Sequence, residues 1–120
     1  LQEIVKLASE VEQVLPCIDF AHHHARYNGL NNTYKEFSQA LAYVEQHLGK
    51  EGLRDMHIHV AGINYGPKGE KNHLPLQESD LCYQELCRAW KDFKIAGVVI
   101  VESPLMEKDA LLLQGVFKKQ

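Results

Sequence analysis

The sequence predicts an α/β fold made of strand–helix units, and specifically part of a (β/α)₈ barrel rather than a whole one. Three observations lead there. First, three short apolar or β-branched runs, at residues 14–20, 56–61 and 96–102, alternate with four helical patterns. Strand alternating with helix gives a parallel sheet with right-handed crossovers. Second, Asp19, His57 and Glu102 recur at a near-regular interval, one strand–helix unit each time. Third, the chain has 120 residues, whereas a full barrel takes about 250. Three parallel strands alone would leave two unpaired edges and a bare face. The sheet is therefore expected to be part of a barrel, or to pair with another copy. A small three-stranded open α/β domain is the alternative. Residues 1–120 read as a single partial domain.

Each helix announces itself by its apolar spacing. In the first, over residues 2–13, Leu1, Ile4, Val5, Ala8 and Val11 recur on one face. The second starts near Thr33, where Thr33 and Glu36 have capping-box spacing. Its stripe is Phe37, Ala40, Leu41, Val44 and Leu48, and Gly49 supplies a C-terminal stop. The third covers residues 79–93, with Tyr83, Leu86, Cys87 and Trp90 on one face. The fourth follows Ser103-Pro104, read as N-cap and first-turn residues. Leu105, Ala110, Leu113, Val116 and Phe117 supply its inner face. Core packing explains all four stripes.

Composition narrows the function classes. Apolar residues make up 45% and charged residues 24%, an ordinary globular balance. The net charge of −3 gives no bulk attraction for nucleic acid. Cys17, Cys82 and Cys87 are odd in number and lack CxxC spacing, which argues against a disulfide framework or a cysteine zinc site. Buried thiols in a reducing, cytoplasmic compartment are expected. No apolar run approaches the roughly 20 residues of a membrane span, and no signal peptide is visible. The opening Leu1-Gln2-Glu3-Ile4 reads as mid-helix without an initiator Met, as expected of a piece of a longer gene product.

The chemistry is expected at the C-terminal ends of the strands, where barrels and open α/β sheets place their sites. Each strand ends on a potential ligand. The first gives Asp19, with His22 in the turn beyond. The second carries His57 and His59, which face the same side because strand side chains alternate. One of the pair can be a ligand and the other a supporting histidine. The third ends at Glu102, a carboxylate that must be paired, metal-bound or solvated. His23 and His24 are expected in a loop or at the surface. The stretch from Gly62 to His73 reads as a long, glycine-rich loop over the barrel mouth, with Lys68 and Lys71 able to face a phosphate and His73 able to fold back. Carboxylates with neutral imidazoles suit Zn²⁺, Mn²⁺ or Fe²⁺. Without thiolates, the set fits an open catalytic site better than a closed structural one.

At this point the residues resemble a known family. Cys17-Ile18-Asp19-Phe20-Ala21-His22, Met56-His57, the loop ending His73-Leu74-Pro75-Leu76, and Val99-Ile100-Val101-Glu102-Ser103 are similar, in order, to the C-terminal part of endonuclease IV. These are metal-dependent abasic-site endonucleases within the xylose-isomerase-like TIM barrels, and the resemblance covers essentially the whole chain. It implies a (β/α)₈ barrel holding a zinc cluster that cleaves DNA 5′ to an abasic site, in the service of DNA repair. It further implies that Asp19, His57 and Glu102 hold one metal with a bridging Glu from an earlier strand, and that His22 and His73 hold another. Glu102 is the expected catalytic residue. The family's third ligand to the second metal is an Asp two residues before the loop His; here that position is Lys71, which cannot ligate as a cation, and the adjacent Glu70 is a candidate substitute. The bridging Glu and two further histidines would come from strands outside this sequence. Abasic DNA is the implied partner of the whole protein. The 120 residues alone are expected to be inactive and to associate through open strand edges.

The same barrel type includes sugar and sugar-phosphate isomerases and epimerases, which use similar His, Asp and Glu ligands. Lys71 in place of an acidic ligand, together with the acidic net charge, favours that alternative.

Overall fold

The computed structural model describes residues 1–11, 15–26, 29 and 32–120. The elements run α1 (Gln2–Glu10), β1 (Cys17–Asp19), α2 (Phe20–Arg26), α3 (Tyr34–Arg54), β2 (Met56–Val60), β3 (Gly62–Gly66) and β4 (Gly69–Leu74). A single 3₁₀ turn (Leu76–Glu78) leads to α4 (Tyr83–Asp92), β5 (Gly97–Val101) and α5 (Glu107–Lys118). Among these residues, no helix is long and apolar enough to cross a membrane. The predicted strand start at Val14 and the end of the first helix at residues 12–13 lie outside the described residues.

The three predicted strands form one parallel sheet in the order β1-β2-β5. Residue pairing sets the faces. Cys17 lies opposite His57 and Asp19 opposite His59; His57 lies opposite Val98 and His59 opposite Ile100. Ile18, Met56, Ile58 and Val60 are buried on the other face. There they join Val5, Phe37, Leu41, Val44, Leu86, Trp90 and Leu113 in one core supplied by α1, α3, α4 and α5. This is an α/β architecture, a parallel sheet with its helices on one face, as expected of part of a (β/α)₈ barrel. Gly97 permits the tight β2–β5 approach: at φ 133°, a Cβ there would lie 2.0 Å from the Met56 carbonyl oxygen.

Thr33 caps α3, its Oγ1 accepting from the Glu36 amide at 3.2 Å, as the spacing predicts. Gly49 stops the helical run, as the sequence predicts: at φ 73° and ψ 178° it is non-helical, and a second helical segment follows it across a kink to Arg54. Four expectations are corrected. The fourth helix is not capped by Ser103; it begins at Glu107, with Met106 before it at φ 50°. Ser103 instead donates to the buried Asp109 carboxylate, which also accepts from the Leu76 amide at 2.8 Å. Leu105 and Ala110 are exposed rather than internal. The third helix begins at Tyr83, because the chain from Leu76 first makes a 3₁₀ turn. Finally, on α1, Val5 is fully buried while Ile4 and Val11 are exposed.

Two corrections bear on function. The histidine triplet lies on a helix, α2, directly after β1, and His24 is fully buried. The stretch from Gly62 to His73 is not an irregular loop. It is the antiparallel hairpin β3–β4, with Ile63 opposite His73 and Tyr65 opposite Glu70.

Candidate metal centre

Side-chain alternation collects the donors on one face of the sheet. Opposite the core stand Cys17 and Asp19 of β1, His57 and His59 of β2, and Glu102 just beyond β5. The Glu102 amide donates to the Val60 carbonyl at 2.9 Å, extending the pairing one residue past the strand. Two layers result. In the lower, Cys17 and His57 are partnered; in the upper, Asp19 and His59. His59 Nδ1 lies 3.1 Å from Glu102 Oε1.

Two groups of donors can point one atom each into a common space within 4.8 Å: Asp19, His59 and Glu102, and Cys17, His57 and His59. The first is one imidazole and two carboxylates, all half-buried, a donor set suited to zinc or manganese with room for further ligands. The structure thus brings Asp19 and Glu102 together with His59. His57 sits one layer lower, beside Cys17, its ring centroid 5.2 Å from that of His59. Parallel pairing makes His59, not His57, level with Asp19. Burial, then the Asp19 and Glu102 carboxylates, push the Cys17 thiol up and keep it protonated.

A second cluster begins at Asp19. Its Oδ1 accepts from the His22 amide at 2.9 Å, capping α2, while Oδ2 lies 3.3 Å from His22 Nδ1. The other ring nitrogen, Nε2, contacts Glu70 Oε2 on β4. The His73 ring centroid is 6.0 Å from that of His22. Asp19 therefore touches both clusters, and His22 lies between two carboxylates. Lys71 does not enter. Its side chain lies across Gly66, where an added Cβ would meet Lys71 Cε at 3.1 Å. Arg26, Lys68, Asp19, His22 and Glu70 line one open cleft of about 480 Å³.

Behind the clusters, a polar network fixes α2 to the hairpin. His24 Nε2 is 2.9 Å from Asp80 Oδ1, and the Tyr65 hydroxyl donates to Asp80 Oδ2. The His24 and Tyr65 rings meet edge-on at 5.3 Å. Burial raises the Asp80 carboxyl, but hydrogen bonds from His24 and Tyr65 outweigh it and hold the group below the ordinary carboxylate range. Tyr65 is correspondingly pushed up, first by that hydrogen bond.

Of the residues the sequence singled out, Asp19 and Glu102 meet at the first cluster, and His22 and His73 approach one another at the second. Sequence reasoning did not place His59 with the carboxylates, Cys17 with His57, or Glu70 with His22. The signal for His59 lay in the strands themselves, since pairing in step puts it level with Asp19. Glu70 was marked only by its place beside Lys71, as a substitute for the acidic ligand missing there.

These features fit part of a barrel of a recognisable class. Over residues 1–118 the chain matches the family described as xylose isomerase-like TIM barrel, and it belongs to that family. It is 48% identical over 119 residues to an uncharacterized protein of Methanocaldococcus jannaschii, a similarity covering 99% of this chain and 43% of that protein. The chain thus spans less than half the length of that relative. No solved structure matches it.

Proposed function

We propose that the whole protein is a metal-dependent phosphodiesterase of endonuclease IV type that cleaves DNA 5′ to abasic sites. The observation that carries this reading is Asp19. Its carboxylate belongs to the Asp19–His59–Glu102 group and also contacts His22, beside Glu70 and His73. One carboxylate shared by adjacent donor groups suits paired ions, the arrangement that serves in-line displacement at phosphorus. Zinc, or manganese or iron, held there would supply hydroxide near neutral pH and offset charge on the phosphate. Asp19, His59 and Glu102 would hold one ion, with His57 as the support beneath. Glu102 fixes the His59 ring through Nδ1. Arg26 and Lys68 line the same cleft and would draw in the anionic backbone. Three free thiols accord with a reducing cytoplasm, although only Cys87 is buried as expected; Cys82 is half-buried and Cys17 exposed.

The test uses the full-length protein and a duplex with a single abasic site. The expected result is incision on the 5′ side, abolished by chelator and restored by zinc. A metal-loaded full-length protein that leaves the duplex intact overturns the proposal.

One observation favours a second reading, a sugar or sugar-phosphate isomerase. The carboxylate group that already converges within 4.8 Å, Asp19 with His59 and Glu102, is a single-ion site. One ion there would polarise a substrate carbonyl. Aldose–ketose interconversion by the full-length protein, with no incision of abasic DNA, would favour it.

A further inference from the structure

We propose that Glu70 is a metal ligand, acting with His22 and His73, and that a one-residue bulge at Lys71 delivers it. The inference rests on reading the site as a metal centre, but not on the nature of the substrate.

The argument starts from the pairing of β3 with β4. Ile63 lies opposite His73 and Asn64 opposite Asn72, but Tyr65 lies opposite Glu70, with the irregularity between Asn64 and Tyr65. One residue of β4, Lys71, is extra. In a regular strand, side chains alternate, so His73 would share a face with Lys71 and oppose Glu70. An extra residue resets the alternation beyond it. Ile63 and Tyr65, two apart on β3, face the same way, and so do their partners His73 and Glu70. The hairpin face that carries Ile63 packs against Ala21 and Ala25 of α2. His22 on that helix meets Glu70, while Lys71 is turned aside across Gly66.

The donors are of the kind an ion takes, two imidazoles and a carboxylate; His22 and Glu70 are exposed and border an open cleft, and His73 is half-buried beside them. With metal–nitrogen bonds of about 2.1 Å, the His22 and His73 rings at 6.0 Å between centroids can address one ion. His22 Nε2 and Glu70 Oε2 already face each other, the two atoms such an ion would separate.

The experiment measures bound zinc per chain, and the absorption spectrum with Co²⁺ in its place, in the full-length protein. Glu70→Gln should lose one ion or bind it at least the roughly 10–100-fold more weakly that even outer-shell changes produce. A reference variant, His59→Ala, should weaken a different ion, at the Asp19–His59–Glu102 group. Lys71→Asp added to Glu70→Gln should not restore binding, because the bulge turns position 71 away. Deleting Lys71 should preserve binding, because Glu70 then stands two places before His73 in an unbroken strand. Circular dichroism checks that each variant is folded. Unchanged zinc content in Glu70→Gln overturns the proposal, as does rescue by Lys71→Asp. Abasic-site incision is not the readout, so the ligand assignment stands or falls independently of the proposed reaction.

Discussion

Asp19 has two jobs, and they can be separated by substitution. One oxygen accepts from the His22 amide and starts α2; the other faces the donor clusters. Asn keeps an acceptor for the amide but removes the negative charge. Asp19→Asn should therefore change stability little while zinc affinity falls. Asp19→Ala should lose the cap as well, costing about 1 kcal/mol more. Urea denaturation read against zinc titration distinguishes the two effects; equal zinc affinity in wild type and Asp19→Asn would remove Asp19 from the ligand set. At this scale much was legible. Asp19 and Glu102 stand out because an acid at the end of an apolar strand needs a partner. The choice between His57 and His59 was not legible, because alternation puts both on one face and only the neighbouring strand decides which is level with Asp19. His24 was expected at the surface because a histidine triplet looks polar. It is buried because it occupies an apolar position of α2, with Phe20, Ala21 and Ala25.

That helix shows what pattern reading misses among short elements. Seven residues with three histidines carry little helical propensity, and so short a helix is marginal without tertiary support. Asp19 caps it, and its buried residues Phe20, Ala21, His24 and Ala25 recur in adjacent pairs one turn apart. Phe20 is its anchor, packed edge-on against Phe37 at 6.1 Å and Trp90 at 6.0 Å. Phe20→Ala should destabilise the fold by about 3–5 kcal/mol. Because α2 carries His22, it should also weaken the second cluster before global unfolding. Thermal denaturation and zinc binding at moderate temperature measure both; a loss under 1 kcal/mol would show that α2 is not held by this contact. The hairpin was missed for a different reason. Glycines and a proline suggested an irregular loop, yet Pro67 and Lys68 occupy only its turn, and the flanking residues pair. The longer helices were legible because their apolar stripes repeat over several turns, and the three parallel strands because each is an apolar run bounded by turn residues. The 3₁₀ turn and the late start of α5 go with the buried Asp109 carboxylate, which holds Ser103 nearby and the Leu76 amide 33 positions away, a tertiary link that no periodicity encodes.

Among the described residues the sheet is covered on one face, and neither edge strand, β1 nor β5, pairs further. Val98, Val99 and Ile100 on the edge strand β5 are 57%, 39% and 40% exposed. An exposed apolar edge recruits another strand. The 120-residue chain, prepared by itself, is therefore expected to associate in solution, and charged substitutions on this strand, such as Val98→Lys, should reduce that association. Multi-angle light scattering measures it; a folded, strictly monomeric chain would contradict the expectation. The parallel sheet was readable from the strand–helix alternation alone, since right-handed crossovers leave few choices.

The bulge at Lys71 has a consequence for descent. Strand pairing absorbs an inserted residue locally, so a lineage can gain or lose one position in this hairpin without disturbing the fold on either side. What selection can preserve is then the place of an oxygen atom, not its distance along the gene from a histidine. Two relatives could differ in the interval between acid and histidine and still present the same donors. A ligand in such a hairpin is inherited as a location, and the residue that fills it is free to change its number.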